Sequence, residues 1–467
     1  DNWIWPRHTG DFSMFRVYAS KDNRPAAYSP QNVPYRPKKH FSISTKGVKE
    51  GDFTMIYGFP GNTQEYILSD AVAYIAERSD PAKIAVRTGR LDIITKAQES
   101  DPALRIHYAA KHASIANAWK KWQGEALGID RRGTVAAKFD YETQFGLWSV
   151  GRPEYAGVVM GLRAEYDRIM DAYFAYEITR ETLSTLPAAY TPEERSEECF
   201  ARRKFAEQAL WRHAFREYGR CPKVYRTPSY AEGMARYKSP EAYADALFEA
   251  VWEGSDSVAM QPAVRLREET KRMLDHISWM LGTKSLRNLN SKILNELYTT
   301  YIKGLREWDR ERAFYPDANL TLRVAYGSVA GYEYADGEYH KPQTTLDGII
   351  AKDNPEIYDY DIPQSLRDLY ASKNYGRWGT VIDGRRTVPV CFLATNHTTG
   401  GNSGSPVLNA GGELIGINFD RTWRSTMSDI AFDPAICRNI AVDIRYVLFV
   451  VDRVGGAGYL LKEMTLK

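Results

Sequence analysis

Thr399-Gly400-Gly401-Asn402-Ser403-Gly404-Ser405-Pro406-Val407 is the stretch on which the fold and the chemistry of this chain turn. Strand-like apolar runs flank it, Val388 to Ala394 before and Leu414 to Phe419 after a second turn at Asn409-Ala410-Gly411-Gly412. A nucleophilic serine needs a tight turn that exposes its hydroxyl, with backbone N–H groups nearby to hold a developing oxyanion. Glycines on both sides of Ser403 allow that approach, and the N–H groups of Gly401 and Ser403 are the natural oxyanion pair. The bland alternative is a Gly/Ser turn that merely joins two strands. The nucleophile elbow of α/β-hydrolases is excluded, because it needs glycine where Ser405 stands and a strand-turn-helix context.

Outward from this loop the period of the sequence changes twice. After about residue 319 it is that of strands, with Leu320, Leu322, Val324 and Tyr326 alternating. From about 66 to 318 it is helical: Leu162, Tyr166, Ile169, Tyr173 and Tyr176 step by three and four, as do Leu294, Leu297, Tyr301, Leu305 and Trp308. Breakers at Asp80-Pro81, Gly151-Arg152-Pro153, Thr191-Pro192 and Ser239-Pro240 mark helix ends. Residues 1–65 read as strands again, at Phe12 to Tyr18 and Phe53 to Tyr57, separated by a long Pro-, Asn- and Lys-rich loop. A β, α, β order is met most simply by a helical domain inserted into a β domain. Two unrelated β domains around a helical one is the alternative, but 65 residues make a weak independent fold.

Composition narrows the class. The chain has 467 residues, 43% hydrophobic and 26% charged, enough for a sizeable core. Lys and Arg number 62 against 59 Asp and Glu, a net +3 that supplies no bulk field for nucleic acid or an anionic membrane. The longest apolar run, Tyr446 to Val451, falls far short of the ~20 residues of a spanning helix. Thirty-one tyrosines and 11 tryptophans suit a core or a binding cleft. The four cysteines are too far apart for a CxxC metal or redox motif, so a Cys199–Cys221 bridge and four free thiols both stay open.

Gly-Asn-Ser-Gly-Ser-Pro followed by a strand resembles the serine loop of chymotrypsin-like proteases. Thr9-Gly10-Asp11-Phe12 is similar to the strand start that presents the triad aspartate, and Gly51-Asp52 to Gly61 is similar to the strand that closes the first barrel. With Asn2-Trp3-Ile4-Trp5-Pro6-Arg7-His8, Ile115-Ala116-Asn117-Ala118-Trp119-Lys120 and Gly400 to Arg421, the whole chain resembles the bacterial dipeptidyl-peptidases with a chymotrypsin-type double β-barrel and an inserted helical domain. The fold this implies is α+β. Residues 1–65 are then the C-terminal part of an incomplete first barrel, 66–318 the helical lid, and 319–467 the second barrel with the nucleophile.

By the same resemblance Ser403 is the nucleophile and Asp11 the triad acid. Asn2, Trp3 and Asp420 bind the free amino terminus of the peptide, with Asn117 reaching in from the helical domain. A carboxylate beside an amide is an apt anchor for a cationic α-amine. Arg421 stands where members cutting after apolar residues carry glycine, and so resembles the Asp/Glu-specific branch, dipeptidyl-peptidase 11. A guanidinium fork on a substrate carboxylate contributes roughly 1.5–3 kcal/mol, on the order of 10–100-fold in preference. The competing reading of Arg421 is a solvated rim residue beside Arg424.

A triad also needs a base. None of the eight histidines stands in the family's context, and His397, six residues before Ser403, would need unusual loop geometry. The expectation is that a further N-terminal segment carries the catalytic histidine, and that the chain begins at a break before Asn2-Trp3. The leading expectation is thus a serine exopeptidase that releases N-terminal dipeptides with Asp or Glu second, through an acyl-enzyme. The alternatives are a non-catalytic peptide-binding protein of the same fold, and the broad apolar-specificity peptidase of the family. The resemblance also implies no cofactor and no metal, a homodimer, and the periplasm or surface of a Gram-negative bacterium.

Overall fold

Where the sequence places a proline after Thr191 or Ser239, a helix begins. Thr191 Oγ1 accepts from Glu194 N–H, whose own side chain reaches back to the Thr191 N–H, and Ser239 caps Pro240–Glu253 through Ala242 N–H. Proline suits the first helical position because its missing N–H would lack a partner there anyway. Asp80-Pro81 behaves differently. The chain runs from the helix Ser69–Tyr74 through a π turn, Ile75–Ser79, straight into Asp80–Ser100, the wider turn absorbing the missing donor. The structure is a computed structural model that describes residues 2–254, 256–282 and 288–467; Asp1 lies outside them.

The chain is α+β and divides into two compact units, Tyr66–Pro316 and Asp1–Glu65 with Asp317–Lys467. The first is helical. Its stripes are those of the sequence: Leu162, Tyr166, Ile169 and Tyr173, and Leu294, Tyr301 and Leu305, are all buried. Much of the tyrosine excess resides in this core, where Tyr166, Tyr218 and Tyr230 are fully buried beside Phe145, Phe215 and Phe248. Each large ring buries much area, and each hydroxyl needs a partner; Tyr230 donates to Phe215 O and Tyr243 to Ser229 O. All four cysteines are free and buried, so no Cys199–Cys221 bridge forms.

The second unit is built on one antiparallel sheet of seven strands: β1 (Phe53–Gly58), β2 (Arg323–Ser328), β3 (Gln343–Thr345), β4 (Pro389–Ala394), β5 (Ser405–Leu408), β6 (Leu414–Arg421) and β7 (Asn439–Asp443). Their spatial order is β2-β1-β5-β6-β7-β4-β3. Every residue of β4 and β7 is buried, and Ile56, Phe392, Val407, Ile415 and Ala441 form the core. A bridge between Val329 and Ala394, with Thr395 N–H donating to Ser328 O at 2.9 Å, joins the end of β2 to β4, so the sheet returns on itself.

Within residues 1–65, Phe53–Gly58 pairs with β2 along its whole length and with β5, so a strand from before the helical unit joins the sheet that carries the serine loop. Phe12 to Val17 does not form the expected strand; Phe15 is 88% exposed, and Tyr18–Ala19 pairs with Val33–Pro34. The alternation through Leu320, Leu322, Val324 and Tyr326 is real, but these side chains point outward and are exposed, β2 being an edge strand of the ladder.

Candidate active site

Ser403 sits between β4 and β5 on a loop whose shape is set by its own polar groups. Asn402 N–H donates to Thr399 O, Thr399 N–H returns to Asn402 Oδ1, and Ser405 N–H donates to Asn402 O. Gly404 N–H reaches Asn418 O on β6 at 2.8 Å, and Gly400 O accepts from Gly61 N–H at 2.6 Å. Asn402 is buried and Ser403 exposed. Gly401 at φ 107° and Gly404 at φ 84° occupy left-handed backbone, and a Cβ on Gly401 would strike Phe59 O. Among the described residues the N–H groups of Gly401 and Ser403 have no hydrogen-bond partner, so both are available to an incoming oxyanion. Ser403 Oγ donates to Phe419 O at 3.2 Å.

Phe419 leads directly to the acidic and basic groups of β6. The Asp420 side chain is 7% exposed. Its Oδ2 accepts from Trp3 N–H at 2.9 Å and from Arg7 Nη1 at 2.9 Å, and its Oδ1 from Arg421 N–H at 2.8 Å. Burial outweighs these donors and holds the Asp420 carboxyl above its ordinary range. Trp3 is fixed in left-handed backbone at φ 66°, its carbonyl taken by Trp423 N–H. Trp3 and Asp420 are thus in direct contact, with Asn2 adjoining. Asn117 lies exposed on the helix Pro102–Arg131 of the other unit.

Arg7 was not singled out by its sequence context, yet it ties the site together. Its guanidinium is buried, stacks 4.8 Å from the Phe419 ring, and donates to Asp420 and, at 3.1 Å, to Asp11 Oδ2. Asp11 is otherwise largely exposed and borders a cavity of about 390 Å³ lined by His8, Lys352 and Tyr360 among others. Burial, with Lys352 nearby, lowers His8 to about 4. Among the described residues no histidine bonds to Ser403 or Asp11. His397 stacks on Phe432 and bonds Ser428 O; burial and Arg421 hold it below its ordinary range.

Arg421 is neither at the rim nor solvated. It is 4% exposed and pairs bidentately with Asp429: Nη1 to Oδ1 at 2.6 Å, Nη2 to Oδ2 at 2.7 Å. Nη1 also reaches Ser428 Oγ at 2.7 Å and Thr398 O at 3.3 Å, and the Trp3 ring lies 5.5 Å from the guanidinium. Eight residues along the chain, Asp429 carries no motif that would have drawn attention to it. In the helical unit His107, Glu197 and Cys199 bring ligand atoms within 4.8 Å of one another. The Arg203 guanidinium donates to Glu197 and abuts the His107 ring, so a cation is already seated among them.

A profile of the peptidase S46 family matches residues 1–193 and 191–466. The chain is 40% identical to the Asp/Glu-specific dipeptidyl-peptidase of Capnocytophaga gingivalis and 33% identical to dipeptidyl-peptidase 7 of Phocaeicola vulgatus, in each case over 100% of this chain and 70% of the relative. Among solved structures it is similar to Porphyromonas endodontalis DPP11 in complex with the dipeptide Arg-Glu, with TM-score 0.84 and 32% identity, covering 100% of this chain and 72% of that one.

Proposed function

The chain belongs to the peptidase S46 family, a family of serine peptidases, and from that membership we propose a serine exopeptidase that releases N-terminal dipeptides ending in Asp or Glu. The observation that carries the proposal is the exposed Ser403 on a loop with two unengaged N–H groups, hydrogen-bonded to the strand that also holds Asp420 and Arg421. In this reading Ser403 Oγ attacks the scissile carbonyl, and the N–H groups of Gly401 and Ser403 hold the oxyanion. Asp420, with Asn2 and Trp3, takes the cationic α-amine, and Asp11 orients the base. Arg421 faces the acidic side chain. The greater identity to Asp/Glu-specific relatives than to dipeptidyl-peptidase 7 supports that choice over the broad apolar specificity.

In this proposal the sheet that returns on itself is a chymotrypsin-like barrel. A histidine base from a segment outside these 467 residues, a homodimer, and a periplasmic or cell-surface location complete the proposal, on the strength of the family resemblance. No helix among the described residues is long and apolar enough to cross a membrane. A second reading, a peptide-binding protein of the same fold, is favoured by one observation: among the described residues no histidine is bonded to Ser403 or Asp11. An acidic dipeptidyl chromogenic substrate separates them. The peptidase turns it over and loses that turnover with Ser403→Ala; a binder takes up dipeptides but gives no turnover and no reaction of Ser403 with a phosphonate.

A further inference from the structure

A guanidinium that is to read a substrate carboxylate should offer its paired N–H groups to the pocket. In this structure both terminal nitrogens of Arg421 are taken by Asp429, in the fork-to-fork geometry that a substrate carboxylate would itself use. Among the described residues Asp420, its neighbour on β6, also feels the Arg421 charge, but its Oδ1 accepts from the Arg421 backbone N–H and not from the guanidinium. Ser428 Oγ and Thr398 O are uncharged acceptors, Trp3 presents a ring, and burial and Arg421 hold His397 below its ordinary range. Glu65 lies one layer further out, 3.7 Å from His397 Nδ1. Asp429 is the carboxylate bonded to the guanidinium itself, at both terminal nitrogens.

We propose that Asp429 sets the strength of acidic selectivity by occupying the Arg421 fork as an internal competitor. The inference rests on the reading of Arg421 as the pocket cation. An arriving Asp or Glu side chain either displaces Asp429 from the fork or shares the guanidinium with it as a second carboxylate. Each route costs affinity for acidic ligands and leaves apolar ligands unaffected. A residue that merely propped Arg421 in place would act in the opposite sense, since its removal would weaken acidic ligands.

The test measures affinities of the dipeptides Arg-Glu and Arg-Leu for the full chain by calorimetry, a readout that needs no turnover. Asp429→Asn should tighten Arg-Glu on the order of a hundredfold, the scale of two like charges about 6 Å apart at an effective dielectric of about 20, and leave Arg-Leu unchanged. A Glu-to-Leu affinity ratio that stays constant or falls overturns the proposal. Asp429→Glu keeps the charge and should stay within about twofold of the parent ratio; a tenfold rise there overturns it equally. That variant carries the test alone if Asp429→Asn does not fold. Arg421→Gly separates the two levels of the argument. If acidic preference survives it, the reading of Arg421 fails and takes Asp429 with it. If Arg421→Gly abolishes the preference while Asp429→Asn leaves the ratio unchanged, only the role of Asp429 falls.

Discussion

Arg7→Met tests whether the site is held by one buried cation. The substitution preserves most of the stem and its contact with Phe419, while removing the charge that links Asp11 to Asp420. Asp11 is 61% exposed, so losing that pair costs little. Asp420 is 7% exposed and keeps only the N–H groups of Trp3 and Arg421. Stranding one partner of a buried pair costs about 3–5 kcal/mol. For a unit of this size that corresponds to a fall of roughly 10 °C in melting temperature. The pH dependence identifies the cause. Asp420 already sits above its ordinary range, and without Arg7 it rises further. The folded variant then binds a proton that the unfolded chain releases, so stability is lost as pH rises and regained as pH falls toward the ordinary carboxylate range. Thermal denaturation at pH 8 and pH 4.5 should show a large deficit at the first and a much smaller one at the second. A loss below about 1 kcal/mol at pH 8, or equal losses at both, would refute the reasoning.

Further outcomes follow from the same contacts. Gly401→Ala forces a Cβ into Phe59 O at φ 107°, and should abolish phosphonate labelling of Ser403, measured by mass spectrometry, while costing about 1–3 kcal/mol in urea denaturation. Arg421→Gly leaves Asp429 buried without its counter-ion and should destabilise by about 3–5 kcal/mol; adding Asp429→Asn should recover most of it, so the double variant melts above the single. His8 titrates near 4 when folded against about 6.5 when unfolded, so its contribution is present above 6.5 and lost as pH falls from 6.5 toward 4. His8→Gln should flatten that part of the stability profile, as read by melting temperature between pH 7 and 4.

The helical unit was the most legible part of the sequence, because a helix is specified by residues three and four apart. Leu162, Tyr166 and Ile169 report their buried face without reference to any other segment, and Thr191 and Ser239 announce their helices through caps that close within three residues. Strands are specified by partners instead. Alternation at Leu320 to Tyr326 is visible, but which face meets the core is decided by β1, more than 260 residues earlier in the chain, and the apolar side proved to be the exposed one. The serine loop could be found because its glycines and Asn402 act locally. Arg7 and Asp429 could not, since each acquires its role from a side chain brought to it by β6.

The pairing of β1 with β2 also bears on the order of folding. Thr63 Oγ1 donates to Asp317 Oδ1 at 2.6 Å and accepts from Ala318 N–H at 2.9 Å, so the chain leaves the sheet and returns to it at one point, with the whole helical unit between. If that intervening chain were still random, closing so long a loop would cost about 3 kcal/mol more than closing one of about ten residues. Helices nucleate from local contacts and on faster timescales than long-range strand pairing. A helical unit that forms first brings residues 63 and 317 together and shortens the loop that pairing β1 with β2 must close, which ties formation of the sheet that carries Ser403 to a segment that contributes none of its strands.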